Sequence, residues 1–187
     1  YFWDEAGYYI PAAYDFFRTG ALIPYSTLTN AHPPLPAIYL AFWWKVSGFT
    51  PTVTRLAICF VAAFALTGVF VLVRRLANVP VAVATTLLTA LYPVWFTQST
   101  LAHADIYAAA GTLWALAYAL HELPSVRHGW YAALGFSLAA RAKETASGMP
   151  RALVIWHLWE VLRKPTFARG HWRAAIQFAL RVLPLCA

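Results

Sequence analysis

"TRLAICFVAAFALTGVFVLVRRL" occupies residues 54–76 and decides the class of fold. Between Arg55 and Arg74 it holds no charged residue. A helix of about 20 apolar residues spans a hydrocarbon layer of about 30 Å. The run therefore reads as a membrane helix, and Arg74 and Arg75 close it as a cytoplasmic end is closed. The rest of the chain agrees, being 61% hydrophobic and only 11% charged, against about a quarter charged in soluble domains. Abundant aromatics and scarce charge also exclude a disordered chain. The net charge of +7 is no sign of a nucleic-acid partner. The cations stand between hydrophobic runs, where they set topology and meet phosphates.

Downstream, "VPVAVATTLLTALYPVWFTQ" (79–98) reads as a second span. Pro80 suits its first turn and Pro93 is placed to kink its far end. The short link Ala77-Asn78 makes the two an antiparallel pair. A third span covers "ADIYAAAGTLWALAYALHEL" (104–123), whose Ala108, Ala109, Ala110 and Gly111 permit close helix approach. "WYAALGFSLAA" (130–140) and "ALVIWHLWEVL" (152–162) are about a dozen residues each, short for full spans. They are expected as short or partly submerged helices around a polar hairpin, "RAKETASGMPR" (141–151). "RKPTFARGHWR" then reads as a basic cytoplasmic loop, and "AAIQFALRVLPLCA" as the start of another helix. The opening Tyr1 and the abrupt end suggest a piece of a longer protein, lacking a first membrane helix and a downstream part. Cys59 and Cys186 have no metal or redox spacing and are expected as inert packing residues.

Upstream of the first span the pattern changes. "DEAGYYIPAAYDFFRTG" (4–20) and "HPPLPAIYLAFWWKVSGF" (32–49) mix aromatics with charge, as segments at headgroup level do. The expected fold is an all-α polytopic membrane protein. Residues 1–50 form an outer, periplasmic loop with interfacial helices, and 51–187 a transmembrane bundle. With Arg74, Arg75 and Arg127 inside, the cations Arg18, Lys45, Arg55, Arg141, Lys143 and Arg151 all fall outside. That load of outer cations points to an anionic ligand there.

The candidate chemistry sits on that outer side. Asp4 and Glu5 are either two solvated acids at a helix start or a general base at the membrane edge, where low dielectric and a neighbouring acid raise proton affinity. His32 is held at the rim by the Pro33-Pro34 turn, which forbids helix; it is a rigid connector residue or a donor to phosphate or sugar. Arg55 opens the first span and by itself reads as a snorkelling cation. Arg141, Lys143 and Glu144 cluster between apolar runs, which is costly without a partner, and a lipid-linked phosphate would supply one. Asp105 is a helix-start acid with Ser99 or Thr100 as cap, or a second acid facing the same cavity. The histidines are too scattered to predict a metal site.

Four stretches occur in a telling order: "WDEAGYYIPAAYDFFRTG", "HPPLPAIYLAFWWKVSGFTPTVTRL", "YPVWFTQSTLAHADIY" and "GFSLAARAKETA". With them the chain resembles bacterial membrane glycosyltransferases of the GT-C class. It is similar to the dolichyl-phosphate-mannose protein mannosyltransferase-like group, which includes the lipid A aminoarabinose transferases and the RgtA/B/C/D-like domain. The resemblance implies a GT-C-type helix bundle and a polyprenyl-phosphate sugar donor used on the periplasmic or lumenal side. The acceptor would be a lipid, polysaccharide or protein, and the protein would be a multi-pass component of a bacterial inner membrane. It implies Asp4, with Glu5 beside it, as the catalytic acid of the first outer loop. Arg55 and Lys143 would hold the donor phosphate, and Asp105 would be a second outer acid. Arg141 and Arg151 depart from the pattern, which has a small or hydroxyl residue and an apolar one there. No cofactor is implied; a divalent cation would suit the chemistry, but no spacing here supports one.

The residues are also compatible with a transporter or flippase segment for a lipid-linked or anionic substrate, or with a purely structural membrane subunit. Transporters place ionisable groups near the bilayer midplane. Here the charges fall at span ends, and the mid-span polar groups are hydroxyls and His157. That distribution favours an interfacial enzyme.

Overall fold

A computed structural model describes residues 3–27, 32–121 and 126–163, and every regular element among them is helical. A π-helical turn, Glu5–Tyr9, runs into α1 (Ile10–Thr19). Next come α2 (Leu35–Ser47), α3 (Pro51–Leu76), α4 (Val79–Leu91), α5 (Pro93–Gln98), α6 (Ala104–Ala119) and α7 (Val126–Ala142). A 3-10 turn, Glu144–Ser147, leads into α8 (Gly148–Arg163).

Helix α3 is the mast of the bundle. Thr50 caps it by accepting the Val53 N–H at 3.2 Å, and Pro51 fills the first helical position, where its missing N–H costs nothing. Among the described residues α3 alone is both long and apolar enough to cross a membrane. Its inner stripe of Ala57, Ile58, Val61, Ala62 and Ala65 is buried, while Leu56, Phe60 and Phe64 face outward. Cys59 lies on the outward side and is exposed, so the packing role expected for it is not what is found.

The second expected span is not continuous. Asn78 caps α4 by accepting the Val81 N–H at 3.0 Å, but the helix stops at Leu91. Tyr92 turns to an extended conformation (ψ 126°), because the ring of Pro93 disfavours a helical residue before it. The chain restarts at Pro93 as the short α5. α6 ends at Ala119, and Leu123 lies outside the described residues. α7 has 17 residues and α8 has 16, about 24–26 Å each at 1.5 Å per residue, so both exceed the dozen residues expected. The loop and helix expected over 164–187, and Cys186 with them, lie outside the described residues.

Helices α6 and α7 meet backbone to backbone. A Cβ at Gly111 would stand 2.7 Å from the Gly135 carbonyl oxygen, and one at Gly135 2.9 Å from that of Gly111. Two glycines facing each other give the closest approach two helices can make. α6 packs on α3 as well, where Trp114 Nε1 donates to the Phe64 carbonyl at 2.9 Å.

Helices α1 and α2 cover the start of α3. Trp44 is fully buried and donates its indole N–H to Thr54 Oγ1 at 2.9 Å, and Tyr39 donates its hydroxyl to the Ala57 carbonyl at 2.9 Å. α1 ends on Gly20 at φ 75°, a left-handed cap open to glycine. The chain after it is anchored by Asp15, which is 2% exposed. One carboxylate oxygen accepts the Tyr25 N–H, the Ser26 N–H and the Ser26 hydroxyl, each at 2.9 Å. Burial works to raise the pKa of Asp15, but these donors outweigh it and hold the group below the usual carboxylate range.

Candidate active site

The charged residues picked out in the sequence gather at one end of the bundle, where α3 and α6 begin and α7 ends. The adjacent acids Asp4 and Glu5 part company there. Glu5 is completely buried. Arg55 grips it with both terminal nitrogens: Nη2 donates to Oε2 at 2.8 Å and Nη1 donates to Oε1. The Ala102 N–H donates to Oε1 at 2.8 Å, and Arg55 Nη1 also donates to the Thr100 carbonyl at 2.5 Å. Glu5 thus fastens three places to one another: the π-helical turn, the first turn of α3, and the link between α5 and α6. Bidentate charge-assisted bonds are the strong kind, and they engage both oxygens of this carboxylate within the protein. Asp4 is exposed, and among the described residues it makes no hydrogen bond or ion pair. The backbone just ahead is unusual, with Trp3 at φ 47°, a region that non-glycine residues seldom occupy.

Two further pairs stand beside this clamp. Lys143, extended between α7 and the 3-10 turn, donates to Asp105 Oδ1 at 2.5 Å. His32 Nδ1 lies 3.0 Å from Glu144 Oε2, joining the proline turn to the 3-10 turn. That contact is the first cause of a depressed Glu144 pKa, since it favours the charged carboxylate. Asp105 is not capped by the residues expected to do so. Ser99 donates to the Phe96 carbonyl and Thr100 to that of Thr97, and His103 precedes the helix without a capping bond.

Tyr9 and His103 were not foreseen. The Tyr9 ring stacks on His32 with centroids 5.7 Å apart and sits 5.7 Å from His103. Its phenol is pushed up to about 12, by burial first and then by the charges of Asp105 and Asp4, against the pull of the Ala104 N–H. Both acids therefore act on one hydroxyl, which keeps its proton. The short run Leu101-Ala-His-Ala-Asp105 carried a usable signal, a histidine two residues ahead of a helix-start acid.

Next to Asp105 opens a cavity of about 540 Å³ between α4, α5 and α6. Its wall is chiefly apolar, with Leu88, Tyr92, Val94, Trp95 and Ile106, and Thr85, Thr89, Gln98 and Asp105 bring polar groups to it. The proline break at Tyr92 makes this space, because it swings α5 off the line of α4. Among the described residues, no three His, Cys, Asp or Glu gather where they could hold a metal ion.

A helical membrane bundle with a charged head and an apolar recess beneath it fits one comparison. A family model described as dolichyl-phosphate-mannose-protein mannosyltransferase matches residues 31–186. The chain belongs to that family. His32, Arg55, Asp105, Lys143 and Glu144 lie within the matched stretch; Asp4 and Glu5 precede it. Membership makes the protein an integral membrane glycosyltransferase using a lipid-linked donor. No curated protein and no solved structure matches the chain.

Proposed function

We propose that this mannosyltransferase-family chain transfers a sugar from a polyprenyl phosphate to an acceptor hydroxyl or amine on the periplasmic face of the membrane, with inversion. The observation that carries the reading is the pairing of an apolar cavity with a charged head at its edge, where Lys143 meets Asp105. An isoprenoid chain suits the cavity, and its phosphate would then lie beside the Lys143 ammonium. Arg74 and Arg75 close the other end of α3, which supports an outward-facing head.

In this reading the acceptor oxygen or nitrogen bonds to the anomeric carbon as the carbon–oxygen bond to phosphate breaks. The electron pair leaves on the phosphate, and the acceptor's proton passes to Asp4. The ring carbon becomes positive on the way, as in glycoside hydrolysis. Lys143 stabilises the phosphate charge as it develops. Asp4 is the base because it is the exposed member of its pair. Glu5 and Arg55 serve as positioning residues that set the loop on which Asp4 stands.

Asp4→Asn in the full-length protein is expected to abolish transfer from a polyprenyl-phosphate sugar, with expression and thermal unfolding unchanged. Normal turnover by that variant removes Asp4 from the mechanism. Vesicle uptake of the lipid-linked substrate without transfer would favour the transporter reading instead.

A further inference from the structure

The cation assigned to the donor phosphate is already occupied. Lys143 Nζ lies 2.5 Å from Asp105 Oδ1, so an anion that approaches the ammonium comes close to that carboxylate. The two partners differ in exposure: the Lys143 side chain is 27% exposed and that of Asp105 is 54%. Lys143 is the held member and Asp105 the one with room to move. Asp105 also has somewhere to go. It sits in the first turn of α6, where the helix dipole favours a carboxylate whether or not a cation is near.

We propose that Asp105 is a resident counter-anion of Lys143, which the phosphate of the lipid-linked substrate displaces. This rests on the donor reading above and deepens it. An exposed ion pair is worth about 0–1 kcal/mol. A phosphate offers more charge and more acceptor oxygens to the same ammonium. Once it arrives, a carboxylate left on Lys143 would be a like charge at close range. In the empty site Asp105 neutralises a cation at the edge of an apolar cavity. In the loaded site it competes with the phosphate, which weakens binding and favours release of the spent polyprenyl phosphate. Glu5 cannot do this for Arg55, because it is sealed in and held by three donated bonds.

The consequence is counterintuitive: removing an acid from the site should tighten binding of an anionic lipid. The test uses the full chain in detergent and titrates it with a short-chain polyprenyl monophosphate, followed by intrinsic tryptophan fluorescence. The matching polyprenyl alcohol is the control. Asp105→Asn is expected to bind the monophosphate up to about fivefold more tightly than wild type, the scale of one exposed ion pair. Lys143→Met is expected to bind it at least tenfold more weakly. In the Lys143→Met background, Asp105→Asn is expected to change nothing, which separates competition for Lys143 from a general structural effect. Asp105→Ser serves as a second variant should the amide find bonds of its own. If wild type prefers phosphate over alcohol but neither Asp105 variant tightens binding, this proposal is overturned alone. If wild type binds phosphate and alcohol alike, the donor reading falls and takes this proposal with it.

Discussion

Two carboxylate–cation pairs stand at the same end of this bundle and have opposite characters. Glu5 with Arg55 is a closed clamp: the acid is fully buried, the guanidinium holds both its oxygens, and a backbone N–H adds a third bond. Asp105 with Lys143 is an open contact, with one oxygen engaged and both side chains in reach of solvent. The difference separates structure from chemistry. A buried pair contributes little net stability when formed but is very costly to break by halves, whereas an exposed pair costs little to open. The first ties three parts of the chain together, and the second is the pair proposed above to be exchanged.

Removing Arg55 should have the largest effect. Arg55→Leu strands the Glu5 charge in a dry site, at a cost of about 3–5 kcal/mol. Thermal unfolding in detergent should show a large drop or a failure to fold. Lys143→Met, opening the exposed pair, should cost at most about 1 kcal/mol. Equal losses in the two variants would erase the distinction between the clamp and the contact.

The helix seam that supports the open pair offers the next test. Asp105 lies in the first turn of α6 and Lys143 follows α7, so the Gly111–Gly135 contact joins the two helices that carry the pair. Gly111→Ala drives a methyl against a backbone carbonyl that cannot swing aside. Overpacking of this kind costs about 1–3 kcal/mol. The expected result is a moderate fall in thermal stability together with a change in polyprenyl monophosphate affinity. Unchanged affinity despite lost stability would mean that the seam does not set the Asp105–Lys143 distance.

How far the sequence reveals this arrangement depends on whether the cause is local. α3 is legible because Thr50, Pro51 and an uncharged run of apolar residues act within a few turns. The break at Tyr92 follows from Pro93 by local sterics, although a kinked span and two separate helices look alike until the next turn is placed. The fate of Glu5 is not legible. Its burial depends on Arg55, 50 residues away, and on the Ala102 N–H, 97 away, and no local pattern distinguishes it from Asp4. The ordered motifs picked out residues that gather at one end of the bundle. Which acid is enclosed and which is open is a tertiary fact.

The smallest expected effect is a pH dependence in the third pair, His32 with Glu144, which lies between the two extremes. Its partners are 24% and 47% exposed, and the contact joins the proline turn to the 3-10 turn next to Lys143. The Glu144 pKa is depressed in the folded protein, chiefly by the bond to His32. A depressed carboxylate pKa means that its stabilising contribution is complete above the ordinary glutamate value of 4.5 and fades as pH falls through the lower folded value. Acidification below about pH 4.5 should therefore loosen the proline turn, because the protonated acid no longer attracts the imidazole. Hydrogen exchange at Leu35 and Ala37, the first amides after the prolines, should rise in that window in wild type, and His32→Ala should flatten the rise. Asp15 is also depressed and will respond in acid through the segment around Tyr25 and Ser26, so the readout must be local to the proline turn. If exchange there is level across the window, the His32–Glu144 contact does not hold the proline turn in place.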